Sequence, residues 1–376
     1  MKFSIDQASF LEGVQIVQRA ISTKSVLPPI LSGIYMESKD QNIILKATDL
    51  EIGIECVLSA NVSENGSTVL PARYFVELVK KLPNIELHIE EGDNGQIRIG
   101  YGKSEVMLNA FSADEFPPLQ QFEEKNMLSL PKDKLIAAIR NVSIAASSDY
   151  TRPIFTGILL EITDGNLLKL VATDTHRLAY TEVRLDKEPS DFNTSIIIPS
   201  KSLIEISRIF NMDEGEVTIY LDKNKILFEA DHIKITSRLI EGKFVNYKQV
   251  IPEEFTTRVR VLRKELNDSL ERASLLSRDD LSKRKHNTVK LSIQEEVMDI
   301  SSKSSQIGEL EEMIPVFLEG KTLDIGFNAR YLLDVLRVID TEEIVIDLTT
   351  ELSPGILRPV DGQDQSLFLV LPIRLS

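Results

Sequence analysis

The sequence predicts an α+β chain made of three tandem, similar domains. Three observations carry that prediction. The length, 376 residues, exceeds what one core supports at about 100 to 200 residues per domain. A set of short motifs recurs in the same order about 125 residues further along. Within each recurrence, alternation of apolar and polar residues gives way to apolar residues at three- and four-residue spacing, the period of a helix.

The first copy opens on "LPPILSGIYMES" (27–38), answered in the second by "TRPIFTGILLEI" (151–162). Each sets Pro, two apolar residues, a small hydroxyl residue and Gly ahead of an alternating run that reads as a strand. An Ala-Thr-Asp follows in each, within "KATDLEIGIE" (46–55) and "VATDTHRLAY" (171–180). Then "VLPARYFVELVKKLPN" (69–84) and "IIPSKSLIEISRIFN" (197–211) place a strand end and a Pro before an amphipathic helix. Last, "EFPPLQQF" (115–122) corresponds to "KFVNYKQV" (243–250). Pro29 and Pro153, Ala47 and Ala172, Pro71 and Pro199, and Phe116 and Phe244 thus keep one order and nearly one spacing.

A third copy is fainter. It runs from "RVRVLRKELNDSLERASLLS" (258–277), strand then helix, through the strands "NTVKLSIQEE" and "VMDISSKS". It continues with the strand and helix "LDIGFNARYLLDVLRVID" (323–340) and closes on "EIVIDLTT" and "QSLFLVLPIRLS". Each copy therefore reads as two β-rich halves with one amphipathic helix apiece, or two helices and about eight strands per domain. A period this long is a whole domain, well above the roughly 20 to 50 residues of a solenoid unit. Charge clusters in "QQFEEKNM" (120–127) and "VIPEEFTT" (250–257) break the pattern and set domains at 1–124, 125–254 and 255–376.

The hydrophobic share, 42%, is that of a globular protein. No apolar run approaches the roughly 20 residues of a membrane span, and the charge-interrupted start "MKFSIDQASF" is no signal peptide, which implies a soluble, cytoplasmic protein with no membrane partner. Cys56 is the lone cysteine, which excludes an intrachain disulfide and a cysteine zinc site and fits a reducing compartment; a small buried hydrophobe is its expected role. A net charge of −15 argues against nucleic acid until its distribution is considered. Basic residues fall in the helical segments: Arg19, Arg73, Lys80, Lys81, Lys132, Lys134, Arg140, Lys201, Arg208, Arg263, Lys264, Arg272, Arg330 and Arg337. Arg278, Lys283, Arg284 and Lys285 follow the first helix of the third copy. Acids crowd instead into "IEEGD", "SADEF", "FEEK", "IQEE", "GELEE" and "DTEE", at strand connections and edges. Such a chain can present one basic face, although solvated helix faces have the same pattern.

"VATDTHRLAY" brings Asp174, His176 and Arg177 close enough in sequence to suggest a base, its orienting group and an anion clamp. The first copy keeps the Thr-Asp at Thr48 and Asp49 but lacks His and Arg, which favours a strand-closing turn for Thr173 and Asp174 and leaves His176, Arg177 and Leu178 as the specialised residues. His88, His176, His232 and His286 lie in unrelated contexts, and no HExxH, nucleophile elbow or glycine-rich phosphate loop occurs. Glu90-Glu91 and Asp279-Asp280 are the acid pairs available to a metal, and both sit in polar segments where solvated charge suffices. The expectation is a protein without catalytic residues, cofactor or metal. A metal-dependent enzyme and a structural interaction protein that does not bind DNA are the rival classes.

From "MKF" to "LPIRL", through "PILSG", "ATDLEI", "LPARYFVELVKKLP", "SADEFPPL", "TRPIFTG", "ATDTHRLA", "IPSKSL", "ERASLLSR" and "FNARYLLDVL", the chain resembles the bacterial DNA polymerase III β subunit family, the sliding clamps. The resemblance implies the DNA clamp fold: a head-to-tail homodimer closed into a ring of six domains, helices lining the interior and β-sheets forming the outer rim. It implies duplex DNA as a sequence-independent partner, tethered for processivity to the DNA polymerase III catalytic subunit, the clamp loader and other proteins that carry a clamp-binding motif. Lys24, Arg73, Lys80, Lys201, Arg272 and Arg337 would face DNA. Val106 and Leu108 of one subunit would meet Leu275 and Leu276 of the next. Carried over residue by residue, the peptide pocket comprises Phe155, Thr173, Thr175, His176, Arg177, Leu178, Val250, Leu371, Pro372, Ile373 and Arg374. Thr175 stands where the family often has Gly and Val245 where it often has Pro, which leaves the site in place and bears on its peptide preference.

Overall fold

The computed structural model describes residues 1–21, 28–92, 95–119, 122, 127–162, 166–185, 194–210, 214–276, 287–304, 307–360 and 365–375. The first copy consists of β1 (Lys2–Asp6), α1 (Gln7–Val17), β2 (Gly33–Lys39), β3 (Asn42–Thr48), β4 (Ile52–Ser59), β5 (Asn61–Glu64), β6 (Gly66–Pro71), α2 (Ala72–Lys81), β7 (Glu86–Glu91), β8 (Gln96–Tyr101) and β9 (Ser104–Asn109). The second is β10 (Met127–Pro131), α3 (Lys132–Ser143), β11 (Gly157–Ile162), β12 (Leu167–Thr173), β13 (Arg177–Arg184), β14 (Thr194–Pro199), α4 (Ser200–Ile209), β15 (Glu216–Leu221), β16 (Lys225–Ala230) and β17 (Ile233–Arg238). The third is β18 (Thr257–Leu262), α5 (Arg263–Leu276), β19 (Thr288–Ile293), β20 (Val297–Ser304), β21 (Gly308–Pro315), β22 (Phe317–Gly320), β23 (Leu323–Asn328), α6 (Ala329–Leu336), β24 (Glu343–Leu348), β25 (Gly355–Pro359) and β26 (Gln365–Val370).

Among the described residues every strand pairing is antiparallel, and two of the four sheets run across the copies. An eight-stranded sheet, β10-β15-β16-β17-β4-β3-β2-β6, joins the first and second copies through β17 and β4. A nine-stranded sheet, β14-β11-β12-β13-β26-β25-β24-β18-β22, joins the second and third through β13 and β26. The remaining sheets are β5-β1-β7-β8-β9 in the first copy and β21-β20-β19-β23 in the third. Because of the shared sheets, the chain packs as two compact units, Met1–Asp133 with Glu205–Leu239 and Lys134–Ile204 with Ile240–Ser376, and the middle copy is divided between them.

In the first unit, α1 is capped by Asp6, whose carboxylate accepts from the backbone N–H groups of Ala8 and Ser9 at 3.0 and 3.1 Å. It buries Phe10, Val14 and Val17, and Phe10 meets Phe75 of α2 edge to face at 5.8 Å between ring centroids. The Gln7 side-chain amide donates to Val79 O at 2.7 Å and joins the two helices. In the second unit, Asn328 caps α6, and Leu332, Leu333 and Leu336 bury its inner face. The recurring Ser/Thr-Gly has a packing cause. Each hydroxyl closes a short 3₁₀ turn, Ser32 onto Pro29 O and Thr156 onto Pro153 O, and a Cβ on Gly33 or Gly157 would lie 2.4 Å from Val69 or Ile197 respectively.

Two of the basic residues assigned to helix faces serve the fold instead. Lys132 is buried, its Nζ 3.0 Å from the Asp231 carboxylate. Arg263 donates to Thr341 O at 3.0 Å and to Leu336 O at 3.3 Å, which closes the carboxyl end of α6. Cys56 is fully buried on β4, where desolvation pushes its thiol up to about 12. Among the described residues, no helix is long and apolar enough to cross a membrane.

Candidate functional site

The turn between β12 and β13 is built by its Thr-Asp pair. Thr173 Oγ1 donates to Arg177 O at 2.7 Å and accepts from Thr175 N at 3.2 Å; Asp174 Oδ1 accepts from the N–H groups of His176 and Arg177 at 2.9 and 3.0 Å. Thr175 takes a φ of +79° to turn the chain. The first copy repeats each bond: Thr48 to Ile52 O, Leu50 N to Thr48, and Glu51 N and Ile52 N to Asp49, with Leu50 at φ +74°. Thr173 and Asp174 are therefore scaffold, as their repetition in the sequence implies, and what differs is the cargo of Thr175, His176 and Arg177.

Pairing of β13 with β26 brings that cargo to the carboxyl tail, in the register Arg177 to Val370 and Leu178 to Leu369. Leu371 N then donates to His176 O at 2.9 Å, and Ile373 N to Gly326 O at 2.8 Å, so the tail leaves β13 and ends against β23. Leu371 and Arg374 stay exposed, with Pro372 and Ile373 half-buried between them. Below, Leu178 and Leu369 close a core cluster with Leu159, Val171, Ile197 and Tyr247, and Ile154 and Ile251 pack on its margin. Their neighbours Phe155, half-buried beneath the Arg152 guanidinium, and Val250, exposed, extend from that margin. Leu178 is thus a buried floor, while Thr175, His176, Val250 and Leu371 offer exposed surface. Tyr247 donates to Glu161 at 2.9 Å, and burial together with that carboxylate pushes its phenol far above the ordinary range.

Two residues absent from the expected site, Tyr331 and Asp334, pack against its turn. Arg177 Nε donates to Asp174 at 3.0 Å and Nη1 to Asp334 at 2.7 Å, while the guanidinium lies 4.5 Å from the centre of the Tyr331 ring. His176 stacks on the same ring at 6.4 Å and 22°. Burial, followed by the Asp174 charge, raises the Tyr331 phenol. Arg337 binds the other oxygen of Asp334 at 3.3 Å. Within "FNARYLLDVL" the signal for Tyr331 and Asp334 is their i, i+3 spacing, which puts an aromatic ring and an acid on one side of α6. Among the described residues no group of three His, Cys, Asp or Glu side chains is placed to hold a metal. Glu90 is paired to Lys2 and Arg98, and Glu91 to the amino terminus. Asp279-Asp280, His286, Lys24 and the basic loop at 278–285 lie outside the described residues.

Family models for the DNA polymerase III beta subunit match in series: the N-terminal domain over residues 1–120, the central domain over 129–246 and the C-terminal domain over 248–374. The chain belongs to that family. Its function is that of the DNA sliding clamps. The beta sliding clamp of Bacillus subtilis is 36% identical over 384 residues, with all of both chains covered, and that of Staphylococcus aureus 33% over 383, covering 100% of this chain and 99% of the relative. Among solved structures, the Bacillus subtilis DNA polymerase sliding clamp superposes with a TM-score of 0.94 at 35% identity, and the Streptococcus pyogenes beta subunit with 0.94 at 31%, each over the whole of both chains. The three matched domains agree with the three copies read from the motifs.

The remaining family-implied residues occupy varied settings. Arg73 and Lys80 are exposed on α2, Lys201 is exposed at the start of α4, and Arg337 is exposed at the end of α6. Arg272 is engaged by both oxygens of Glu312 on β21 at 2.7 Å each, so its charge is shared within the third copy. Val106 and Leu108 are half-buried on the terminal strand β9, Leu276 is half-buried and Leu275 exposed.

Proposed function

We propose that two copies of this chain close head to tail into a ring around duplex DNA, and that the ring is a non-catalytic cytoplasmic tether for the replicative polymerase, the clamp loader and other peptide-bearing partners. One observation carries the reading. Each copy splits into two half-sheets of matching order: β1-β7-β8-β9, β10-β15-β16-β17 and β18-β24-β25-β26 form one series, and β6-β2-β3-β4, β14-β11-β12-β13 and β23-β19-β20-β21 the other. The last strand of the first series pairs with the last of the second at β17 with β4 and at β26 with β13. By the same rule β9 and β21 are left without that partner, and a second copy supplies it. The proposed domain boundaries, near 124 and 254, fall between the half-sheets so joined.

Exposed Arg73, Lys80, Lys201 and Arg337 suit sequence-independent phosphate contact, which holds DNA loosely enough to slide. The turn at 173–178, with the tail and Phe155 and Val250, suits apolar and aromatic peptide anchors oriented by a few polar groups. The test is retention on nicked circular DNA after loading. The loaded protein should resist salt that removes it from open DNA, and linearising the circle should release it. Retention after linearisation, or equal salt sensitivity in both states, refutes the ring.

A further inference from the structure

The Asp334 carboxylate stands between two arginines in different surroundings. Its Oδ2 accepts from Arg177 Nη1 at 2.7 Å and its Oδ1 from Arg337 Nη1 at 3.3 Å. The Arg177 side chain is 13% exposed and the Asp334 side chain 18%, whereas that of Arg337 is 64% exposed at the end of α6. The inner pair is therefore shielded and the outer one meets solvent and any polyanion. Arg177 is also held by Asp174 and lies over the Tyr331 ring, on which His176 stacks, so its position fixes both specialised side chains of the turn.

On the reading of this turn as the peptide pocket, we propose that Asp334 is a positioning residue that couples the pocket to a phosphodiester bound at Arg337. A DNA phosphate drawn to Arg337 competes with the longer, more exposed bond to Asp334. Once Arg337 turns outward, the carboxylate's charge is undivided on Arg177. The guanidinium is then held more firmly between Asp174, Asp334 and Tyr331, and a binding group held in place beforehand loses less freedom when a peptide arrives. DNA in contact with α6 thus favours partner binding. The exposed pair is a weak one, so the coupling is about two- to five-fold in peptide affinity.

The Arg177 Nε–H resonance, assigned by its loss in Arg177→Lys, reports the relay without any peptide. Titration of the intact protein with a short DNA duplex should move it in the parent and leave it still in Arg337→Gln. Inorganic phosphate at equal phosphate concentration separates a free ion from the duplex. A resonance that ignores the duplex overturns the proposal. With a peptide from the replicative polymerase, Arg337→Gln should bind two- to five-fold tighter and Asp334→Asn more weakly. In the Asp334→Asn background, Arg337→Gln should add nothing, and an undiminished effect there overturns the role of Asp334. If the resonance moves while Arg177→Ala leaves peptide affinity unchanged, the relay stands and the pocket reading fails.

Discussion

Replacing Leu275 by Glu tests the head-to-tail assembly where the protomer itself has least at stake. Leu275 is 60% exposed in the last turn of α5, the helix that packs on β20 and β21, and β21 is the open edge of its sheet. Full burial of a leucine contributes about 1.5–3 kcal/mol, and the exposed fraction scales this to about 1–2 kcal/mol at one joint. A closed two-membered ring has two identical joints, so each substitution acts twice, about 2–4 kcal/mol in all before any cost of desolvating the new carboxylate. At 1.4 kcal/mol per decade the dimer dissociation constant rises roughly 30- to 1,000-fold. Sedimentation velocity over a concentration series reads that shift, while the melting temperature, compared at a dilution where both proteins are monomeric, should scarcely change, because exposed positions away from special features move stability by about 0.5 kcal/mol or less. Met107→Glu on β9, 45% exposed, should weaken the same joint from the other side. A Leu275→Glu protein that dissociates at the parent's concentration refutes the assignment of α5 and β21 to the joint.

Deleting Leu371–Ser376, or replacing both His176 and Arg177 by Ala, should abolish binding of a polymerase peptide in a fluorescence titration while dimerisation and retention on circular DNA persist; unchanged affinity in either variant places the pocket elsewhere. The Glu312 carboxyl is held below its usual range, chiefly by the hydrogen bonds from Arg272. A depressed folded-state value contributes stability above the unfolded carboxylate pKa of about 4.3 and loses it as pH falls through the folded value. The melting difference between parent and Glu312→Gln should accordingly hold from pH 7 to about 5 and close in more acid solution, and a gap independent of pH would show that the pair is not its source.

Most of the architecture was legible because the repeats record packing constraints. Pro-x-x-Ser/Thr-Gly marks a capped 3₁₀ turn before a strand whose glycine touches a neighbour, and that geometry tolerates little variation. Elements without such constraints escaped. β21 reads as an acidic connection in "GELEE", yet it is an edge strand in which Leu310, Glu312 and Ile314 face inward and the alternating acids face water, and β22 and β25 are too short to show a period. Lys132 and Arg263 looked like surface charge because a sequence carries no record of Asp231 or of the carbonyls at the end of α6. The site was legible only in part for the same reason. Its turn and tail are contiguous motifs, whereas Tyr331 and Asp334 reach the turn across about 150 residues of chain and share no motif with it.

The two Thr-Asp turns show how one backbone scaffold carries two different sets of side chains. Both close a strand with the same hydrogen bonds, so the two differ in the side chains around the turn and not in its backbone. In the first copy the residue matching Leu178 is Gly53, and the Leu119 side chain occupies the space beside it, 2.8 Å from where a Cβ would stand. Leu119 matches Tyr247, which in the second unit is buried with Leu178 and Leu369 in one cluster. Glycine in the one place and leucine in the other therefore change what the crossing segment must fill. In the second unit a continuous apolar floor lies beneath the turn, and the polar residues above it are held from α6 by Tyr331 and Asp334. Glu51 and Ile52, where His176 and Arg177 would be, have a different neighbour: Ser237, against Val370 in the second unit, faces Ile52 across the joint. Divergence between copies is thus concentrated where the backbone is already fixed, and a change of cargo there costs the fold little.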